Sequence, residues 1–377
     1  MDRACRGAYD GAMKTLLIQN PVAGQRDIQD DLSRVTAYLG EKGWDVSVRL
    51  TRRAGHAEEL ARWAADQGYD MVVAVGGDGT IGEVASGLVG TSVIMGVLPV
   101  GTGNLWAKGL GLPVWSPIYR SALLDAARIL VEGDRRKIDV GKAQDRYFLM
   151  WCGIGYDAKV AQDVEPHREV RRSLGNLTYL VMALAEAFFM RGTRATVVVD
   201  GRAMRHRVVM IVIANAQLYG PSLRLAPDAK LDDGQLDIYV FRGGNLIDVL
   251  RHTALLAFRR HSQSPNVEVL RGRDVYVVAQ TPLPVHLDGD PVGATPVWIS
   301  VLPQALCVVV PRWASASLFC GGSASEGSPI TLSARLGRAW RHRLERPPGH
   351  WTDRVRLGRS SGRRGEPTDA TEPGSEA

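Results

Sequence analysis

The stretch MVVAVGGDGTIG, residues 71–82, decides how this chain is read. Residues 71–75 are apolar and partly β-branched, the pattern of a strand buried on both faces. They run into Gly76-Gly77-Asp78-Gly79-Thr80, and a helical pattern follows over residues 81–88. Two adjacent glycines let the backbone turn sharply and approach a ligand with no Cβ in the way. The amides after them open a helix, where partial positive charge favours phosphate. Asp78 sits among those amides, and a carboxylate beside a phosphate makes sense if it reaches Mg²⁺, a metal-bound water or a hydroxyl. The same letters also fit a plain strand-to-helix turn with Asp78 as N-cap.

A second turn of this kind lies downstream. IMGVLPV, residues 94–100, reads as another buried strand, ending in Gly101-Thr102-Gly103-Asn104 before a helix over 105–110. Two glycine turns within 30 residues are far more specific than one. Upstream, KTLLIQ (14–19) reads as the first strand and ends in Asn20-Pro21-Val22-Ala23-Gly24, a turn signal. A helix over 31–39, a strand over 44–50, the basic loop Thr51-Arg52-Arg53-Ala54-Gly55-His56 and a helix over 57–67 follow. Strands alternating with helices imply parallel βαβ units, with both glycine turns at the C-terminal sheet edge. A helix over 113–133 completes this domain, and Asp139 closes it.

From residue 140 the texture changes to short strands separated by Asp200-Gly201, Asp233-Gly234 and Asp288-Gly289. That predicts an antiparallel β domain with helices inserted over 174–190 and 245–260. The organisation expected is a loose leader (1–13, with Met13 a candidate start), a nucleotide domain (14–139) and a β-rich substrate domain (140–312). The last strand is a candidate to return to the first domain. Residues 313–377, rich in Gly, Ser, Pro and Arg, are expected to be a mostly disordered basic tail.

Composition narrows the class. The chain has 377 residues, 45% hydrophobic and 23% charged, which suits a globular protein with sizeable cores. Its net charge of +6 suits an anionic partner without choosing among nucleotide, nucleic acid and acidic membrane. Cys5, Cys152, Cys307 and Cys320 are scattered, arguing for a reducing compartment and against zinc. No signal-peptide pattern is present, and the best apolar helix, 177–190, carries Glu186 and is too short to span a bilayer. A cytoplasmic protein that meets lipid from the water side is expected.

Taken together these residues resemble the diacylglycerol/sphingosine lipid-kinase family. The matching pieces are Asn20-Pro21-x-Ala23-Gly24, Gly76-Gly77-Asp78-Gly79-Thr80 with Glu83, and Pro99-x-Gly101-Thr102-Gly103-Asn104. They continue with Gly153-x-Gly155-x-Asp157-Ala158, Ala226-Pro227-Asp228-Ala229-x-x-Asp232-Asp233-Gly234 and Asp288-Gly289-Asp290. The resemblance implies an α/β fold: a parallel-sheet nucleotide domain like that of phosphofructokinase and NAD kinase, followed by an antiparallel β-sandwich domain with inserted helices. The active site would lie between them. ATP would bind at Asn20, Thr51, Gly76, Gly77, Asp78, Gly79, Thr80, Ile81, Gly82, Glu83, Gly101, Thr102, Gly103 and Asn104. The γ-phosphoryl group would pass to a lipid hydroxyl, most plausibly that of diacylglycerol, with Asp78 and Mg²⁺ managing charge. Asp288 and Asp290 would be the catalytic candidates to take the hydroxyl proton. The expected partners are a lipid at a membrane surface and a nucleotide, with no nucleic acid and a homodimer left open.

The family usually has Glu where this chain has Asp290, which moves the carboxylate back by one methylene. On its own letters, Asp288-Gly289 also reads as a type I′ hairpin turn. In the APDAKLDDG stretch the family implies a structural Mg²⁺ on the carbonyls of Lys230 and Gln235 and the side chain of Asp233; an ordinary Asp-Asp-Gly turn reads equally well. NAD kinase shares the GGDGT turn, but Pro99–Asn104 and Asp288-Gly289-Asp290 argue against it. A catalytically silent lipid- or nucleotide-binding protein is the reading from another class. In the tail, Leu332, Leu336, Trp340 and Leu344 recur at four-residue steps among arginines after Ser328-Pro329. They fit a basic amphipathic helix on a membrane or a solvated segment.

Overall fold

The computed structural model describes residues 13–24, 27–116, 119–155, 192–219, 223–314 and 316–320. The apolar run becomes β3 (Met71–Gly76), buried along its whole length. β3 pairs in parallel with β1 (Lys14–Gln19) on one side and β4 (Ile94–Pro99) on the other. β2 (Asp45–Leu50) pairs in parallel outside β1 and is the exposed edge. Continuous apolar runs occupy the inner strands because helices cover both faces of such a sheet. Those helices are α1 (Gln29–Glu41), α2 (His56–Asp66), α3 (Asp78–Leu88), the short α4 (Leu105–Leu110) and α5 (Ala122–Glu132). α2 packs on α3, and α1 on α5.

The strand order β2-β1-β3-β4 reverses between β1 and β3. Open α/β sheets bind ligands beyond the C-terminal ends of the strands at such a reversal. The turns after β1 and β3 are Asn20-Pro21 and Gly76-Gly77. α5 starts at Ala122 rather than near 113. Before it Ser116 bridges Tyr119, and Ser116 precedes a proline, which biases it to extended backbone.

The second half is built from antiparallel strands: β5 (Asp134–Ala143), β6 (Arg146–Phe148), β7 (Trp151–Gly155), β8 (Thr193–Val199), β9 (Arg202–Ala214), β10 (Leu218–Tyr219), β11 (Leu223–Arg224), β12 (Leu236–Arg242), β13 (Val267–Gly272), β14 (Asp274–Ala279), β15 (Pro284–Leu287), β16 (Asp290–Ala294) and β17 (Val297–Val310). One helix, α6 (Leu246–Ala257), is described among them. Val197, Ile211, Ile213, Ile238, Val275 and Ile299 form a separate core there, the interior of a β-sandwich.

One hydrogen-bonded sheet runs through both halves, because β17 crosses back: it pairs antiparallel with β14, and its Cys307 and Val308 pair in parallel with Ile94 and Met95 of β4. Two short strands over 297–302 and 306–310 were the expectation. The structure joins them into one 14-residue strand with a register shift against β5 at Leu302/Leu306, where Gln304 is left-handed with φ 49°. Buried Asp139 holds this bulge. Its Oδ1 accepts the Gln304 N–H at 2.7 Å and its Oδ2 the Gly234 N–H at 2.6 Å.

Three further expectations change. Met13, assigned to a loose leader, is 1% exposed, and its carbonyl accepts the Asp45 N–H at 3.0 Å. Residues just past 312 do pack: Leu318 and Phe319 are buried, and the Leu318 carbonyl accepts the Leu231 N–H at 2.8 Å. Cys307 is disulfide-bonded, against the expectation of reduced thiols. The helix expected over 174–190, Asp157, Ala158 and the amphipathic pattern past Ser328 lie outside the described residues.

Candidate active site

The two glycine turns meet backbone to backbone. The Val100 N–H donates to the Gly76 carbonyl at 3.0 Å, which sets β4's end beside β3's. A Cβ on Gly101 would overlap Gly77 Cα and lie 2.9 Å from Asn104 Oδ1; one on Gly77 would lie 3.3 Å from Gly101 Cα. Gly101 admits no side chain at this approach and Gly77 only a tight one, while Gly79 and Thr102 stay exposed around the first turn of α3. The leading amides of a helix have no acceptor within it, so this rim suits an anion.

Gly77, not Asp78, is the N-cap of α3. Asp78 reaches sideways instead: its Oδ1 accepts the Trp106 N–H at 3.1 Å and so caps α4 from outside. Asn104, the N-cap of α4, is left-handed at φ 51° and turns its amide back onto the Gly101 carbonyl at 2.7 Å. Its Oδ1 is buried with no hydrogen-bond partner among the described residues. An acceptor left so costs roughly 1–3 kcal/mol. The touching glycines, the open helix start and this orphaned acceptor fit a phosphate-bearing ligand that also brings donors.

The remaining residues expected at the nucleotide brace the same rim. Asn20 Nδ2 donates to Thr80 Oγ1 at 3.1 Å, while Asn20 Oδ1 accepts the Val22 N–H at 3.1 Å. The half-buried Thr51 donates its N–H to the Gln19 carbonyl at 2.8 Å. Ile81 is buried, whereas Gly82 is half-buried. Glu83 has both oxygens engaged, accepting the N–H groups of Gly55 at 2.9 Å and Ala57 at 3.0 Å. It caps α2 and fixes the basic loop of residues 51–56 beside α3.

The other half of the site arrives from the β-sandwich. Leu287 pairs with Asp290 across a two-residue turn, with Asp288 at φ 50° and Gly289 at φ 98°, the type I′ arrangement. The Asp288 carboxylate accepts three successive backbone amides: Leu149 at 2.7 Å, Met150 at 2.9 Å and Trp151 at 2.9 Å. Although the residue keeps some exposed surface, burial of its carboxyl pushes its pKa up to about 6 against the pull of those amides, and the negative charge of Asp78 adds to the rise. Asp78 and Asp288, from opposite halves of the chain, therefore feel each other's field. Asp290 begins β16 and is exposed.

An apolar cavity of about 70 Å³ adjoins these groups, lined by Trp106, Met150, Leu218, Arg224, Leu231 and Leu318 among others. A larger one of about 530 Å³, lined by Asp31, Arg34, Trp115 and Arg120, shares no residue with the glycine turns.

Of the groups expected to hold a structural Mg²⁺, the Asp233 carboxylate already has protein partners. Asp233 Oδ1 accepts the Gln235 N–H at 3.0 Å, its Oδ2 pairs with Arg271, and the Lys230 amine donates to the Ser317 carbonyl at 2.6 Å. Arg271 also pairs with buried Asp237 at 3.0 Å. Among the described residues no cluster of three or more His, Cys, Asp or Glu side chains could hold a metal ion. The Lys230 and Gln235 carbonyls, the other two expected ligands, take no part in these contacts.

Residues 14–143 match the diacylglycerol kinase catalytic domain, and residues 151–310 match the YegS C-terminal NAD kinase beta sandwich-like domain. The chain belongs to the diacylglycerol kinase-like lipid kinase family. A diacylglycerol kinase of Bacillus subtilis (strain 168) is 28% identical to this lipid kinase over 298 residues, 78% of this chain and 96% of the relative. A diacylglycerol kinase of Staphylococcus carnosus (strain TM300) is 26% identical over 299 residues, 78% of this chain and 94% of that one. The crystal structure of a diacylglycerol kinase from Bacillus anthracis str. Sterne has the same fold, with a TM-score of 0.61 at 22% identity, covering 80% of this chain and 98% of that one.

Sequence reasoning about this lipid kinase missed the backbone donors of its site: the Trp106 amide and the amides of Leu149, Met150 and Trp151. Backbone groups leave no side-chain signature. A paired Gly-x-Gly before a short helix was the one available hint of the first.

Proposed function

We propose that the chain transfers the γ-phosphoryl group of Mg²⁺-bound ATP to the free hydroxyl of diacylglycerol, forming phosphatidic acid. The observation that carries this reading is the pair of touching glycine turns at the open start of α3, with Asp78 on their rim and the amide-held Asp288 turn within its field. Phosphoryl transfer needs positioning, charge neutralisation and a proton acceptor. The nucleotide and its divalent cation supply the phosphoryl group and much of the neutralising charge. The open first turn of α3 and the backbone around Gly77 and Gly101 bind phosphate, and Asp78 holds the cation. Asn20, Thr80 and Glu83 keep that rim rigid.

On the acceptor side, Asp288 has both oxygens on backbone amides and serves to fix the turn. Asp290, two residues on and exposed, is the carboxylate that takes the hydroxyl proton. At about 70 Å³ the cavity beside Met150 and Trp106 has room for only a few methylene groups, so it is the names of the relatives that favour a diacylglycerol acceptor.

The test is transfer of label from γ-labelled ATP, with Mg²⁺, to a panel dispersed in detergent: diacylglycerol, monoacylglycerol, sphingosine, a polyprenol and, in solution, NAD. Label in phosphatidic acid above all other products supports the reading. Preference for NAD, or no transfer to any acceptor by a folded protein that binds ATP, would overturn it.

A further inference from the structure

Helix α6 is apolar on two opposite faces. Val249, His252 and Leu256 face inward and are buried. Ile247, Leu250 and Phe258 face outward with exposures of 74%, 44% and 77%. Steps of three and eight residues at 100° each put these three, with exposed Ala254, on one outward arc of roughly 80°. Single exposed apolar residues are ordinary. A stripe of them on a helix whose other face is already packed marks a surface that something covers.

Two observations say what covers it. Arg251, about 20° beyond the edge of the stripe, and Arg259 and Arg260 at its end are exposed, and none forms an ion pair with a described residue. Apolar side chains flanked by unpaired arginines complement acyl chains beneath anionic headgroups. The second observation is position. α6 packs on β11 and on the turn at His261–Gln263, where His261 Nε2 donates to the Leu225 carbonyl at 2.7 Å. Arg224 of β11 lines the apolar cavity together with Met150, whose amide Asp288 holds. The outward stripe, the cavity and the Asp288 turn are thus joined through directly packed segments.

We infer that the outer face of α6 is a docking surface for an anionic phospholipid bilayer. This rests on the lipid-kinase reading for its purpose, but membrane binding is measured without nucleotide or turnover.

The test is sedimentation of the full chain with vesicles of phosphatidylcholine, alone or mixed equally with phosphatidylglycerol, at low and high salt. The triple variant Ile247→Ser/Leu250→Ser/Phe258→Ser should lose about tenfold or more in partition to mixed vesicles. Arg251→Gln/Arg259→Gln/Arg260→Gln should lose the preference for anionic vesicles and the salt dependence. Both should keep the native melting temperature and turnover on detergent-dispersed lipid. If the triple variant does not fold, Phe258→Ser alone, at the helix end, should still lower partition about threefold. Folded variants that sediment like the native chain would overturn the inference. So would a triple variant that turns a dimer into a monomer with vesicle binding unchanged, since the face would then join two copies. Failure of phosphoryl transfer with vesicle binding intact would count against the kinase reading alone.

Discussion

Asp78 Oδ1 accepts the backbone N–H of Trp106 at 3.1 Å, so the first residue of α3 caps the first turn of α4. This one contact ties the two glycine turns together and leaves the carboxylate at the rim where both open. Asp78→Asn keeps an acceptor oxygen for Trp106 but removes the charge. It should lower kcat by about 10² or more with little change in melting temperature. Near-native turnover would remove Asp78 from phosphoryl transfer.

The glycine contact makes an asymmetric prediction. A methyl on Gly101 overlaps Gly77 Cα, whereas one on Gly77 meets Gly101 Cα at a tight 3.3 Å. Gly101→Ala should weaken ATP binding at least tenfold, and Gly77→Ala less, with chemistry at saturating ATP less affected than affinity. Calorimetry on folded Gly101→Ala with native ATP affinity would show that the contact does not shape the nucleotide site.

The two aspartates of the hairpin should separate in their effects. Asp288→Asn sets an amide NH₂ against one of three backbone N–H groups, so it should lower both melting temperature and kcat. Asp290→Asn, at an exposed position, should leave melting unchanged and lower kcat by ~10²–10⁴. Asp290→Glu should be tolerated or faster. An Asp290→Asn enzyme of native rate would make Asp288 the proton acceptor.

Buried carboxyls set a pH dependence of stability. Burial pushes Asp139, Asp237 and Asp288 up to about 6 from an unfolded value of 3.8. Between these values the folded state holds more protons than the unfolded state, so stability falls as pH rises. The contribution is fully present below about pH 4 and gone above about pH 6. The difference in melting temperature between the native chain and Asp237→Asn should therefore shrink or reverse from pH 4 to pH 6 and then level off. A difference that stays flat across that range would show that Asp237 does not titrate there.

What the sequence determined by itself was local. Residues 71–75 had to be a buried strand because nothing in them tolerates water. The glycines after it had to turn, and Asp-Gly at 288–289 specified a type I′ turn through the positive φ both residues accept. Alternating strands and helices then fixed a parallel sheet, and the ordered motifs pointed to a family.

What only tertiary structure decided was which groups answer one another. Glu83, three residues past Thr80, reads as part of the nucleotide motif, yet its oxygens hold the Gly55 and Ala57 amides. Asp288 looks like a turn residue until the chain brings Leu149, Met150 and Trp151 beneath it. Residues 297–310 look like two strands until Asp139 stabilises the bulge at Gln304 and the strand reaches β4. The outward apolar stripe of α6 follows the same logic: periodicity shows an apolar helix, but only packing shows which side is already covered. Local propensity is written in neighbouring residues, whereas backbone donors and long-range pairings are set by where the folded chain returns.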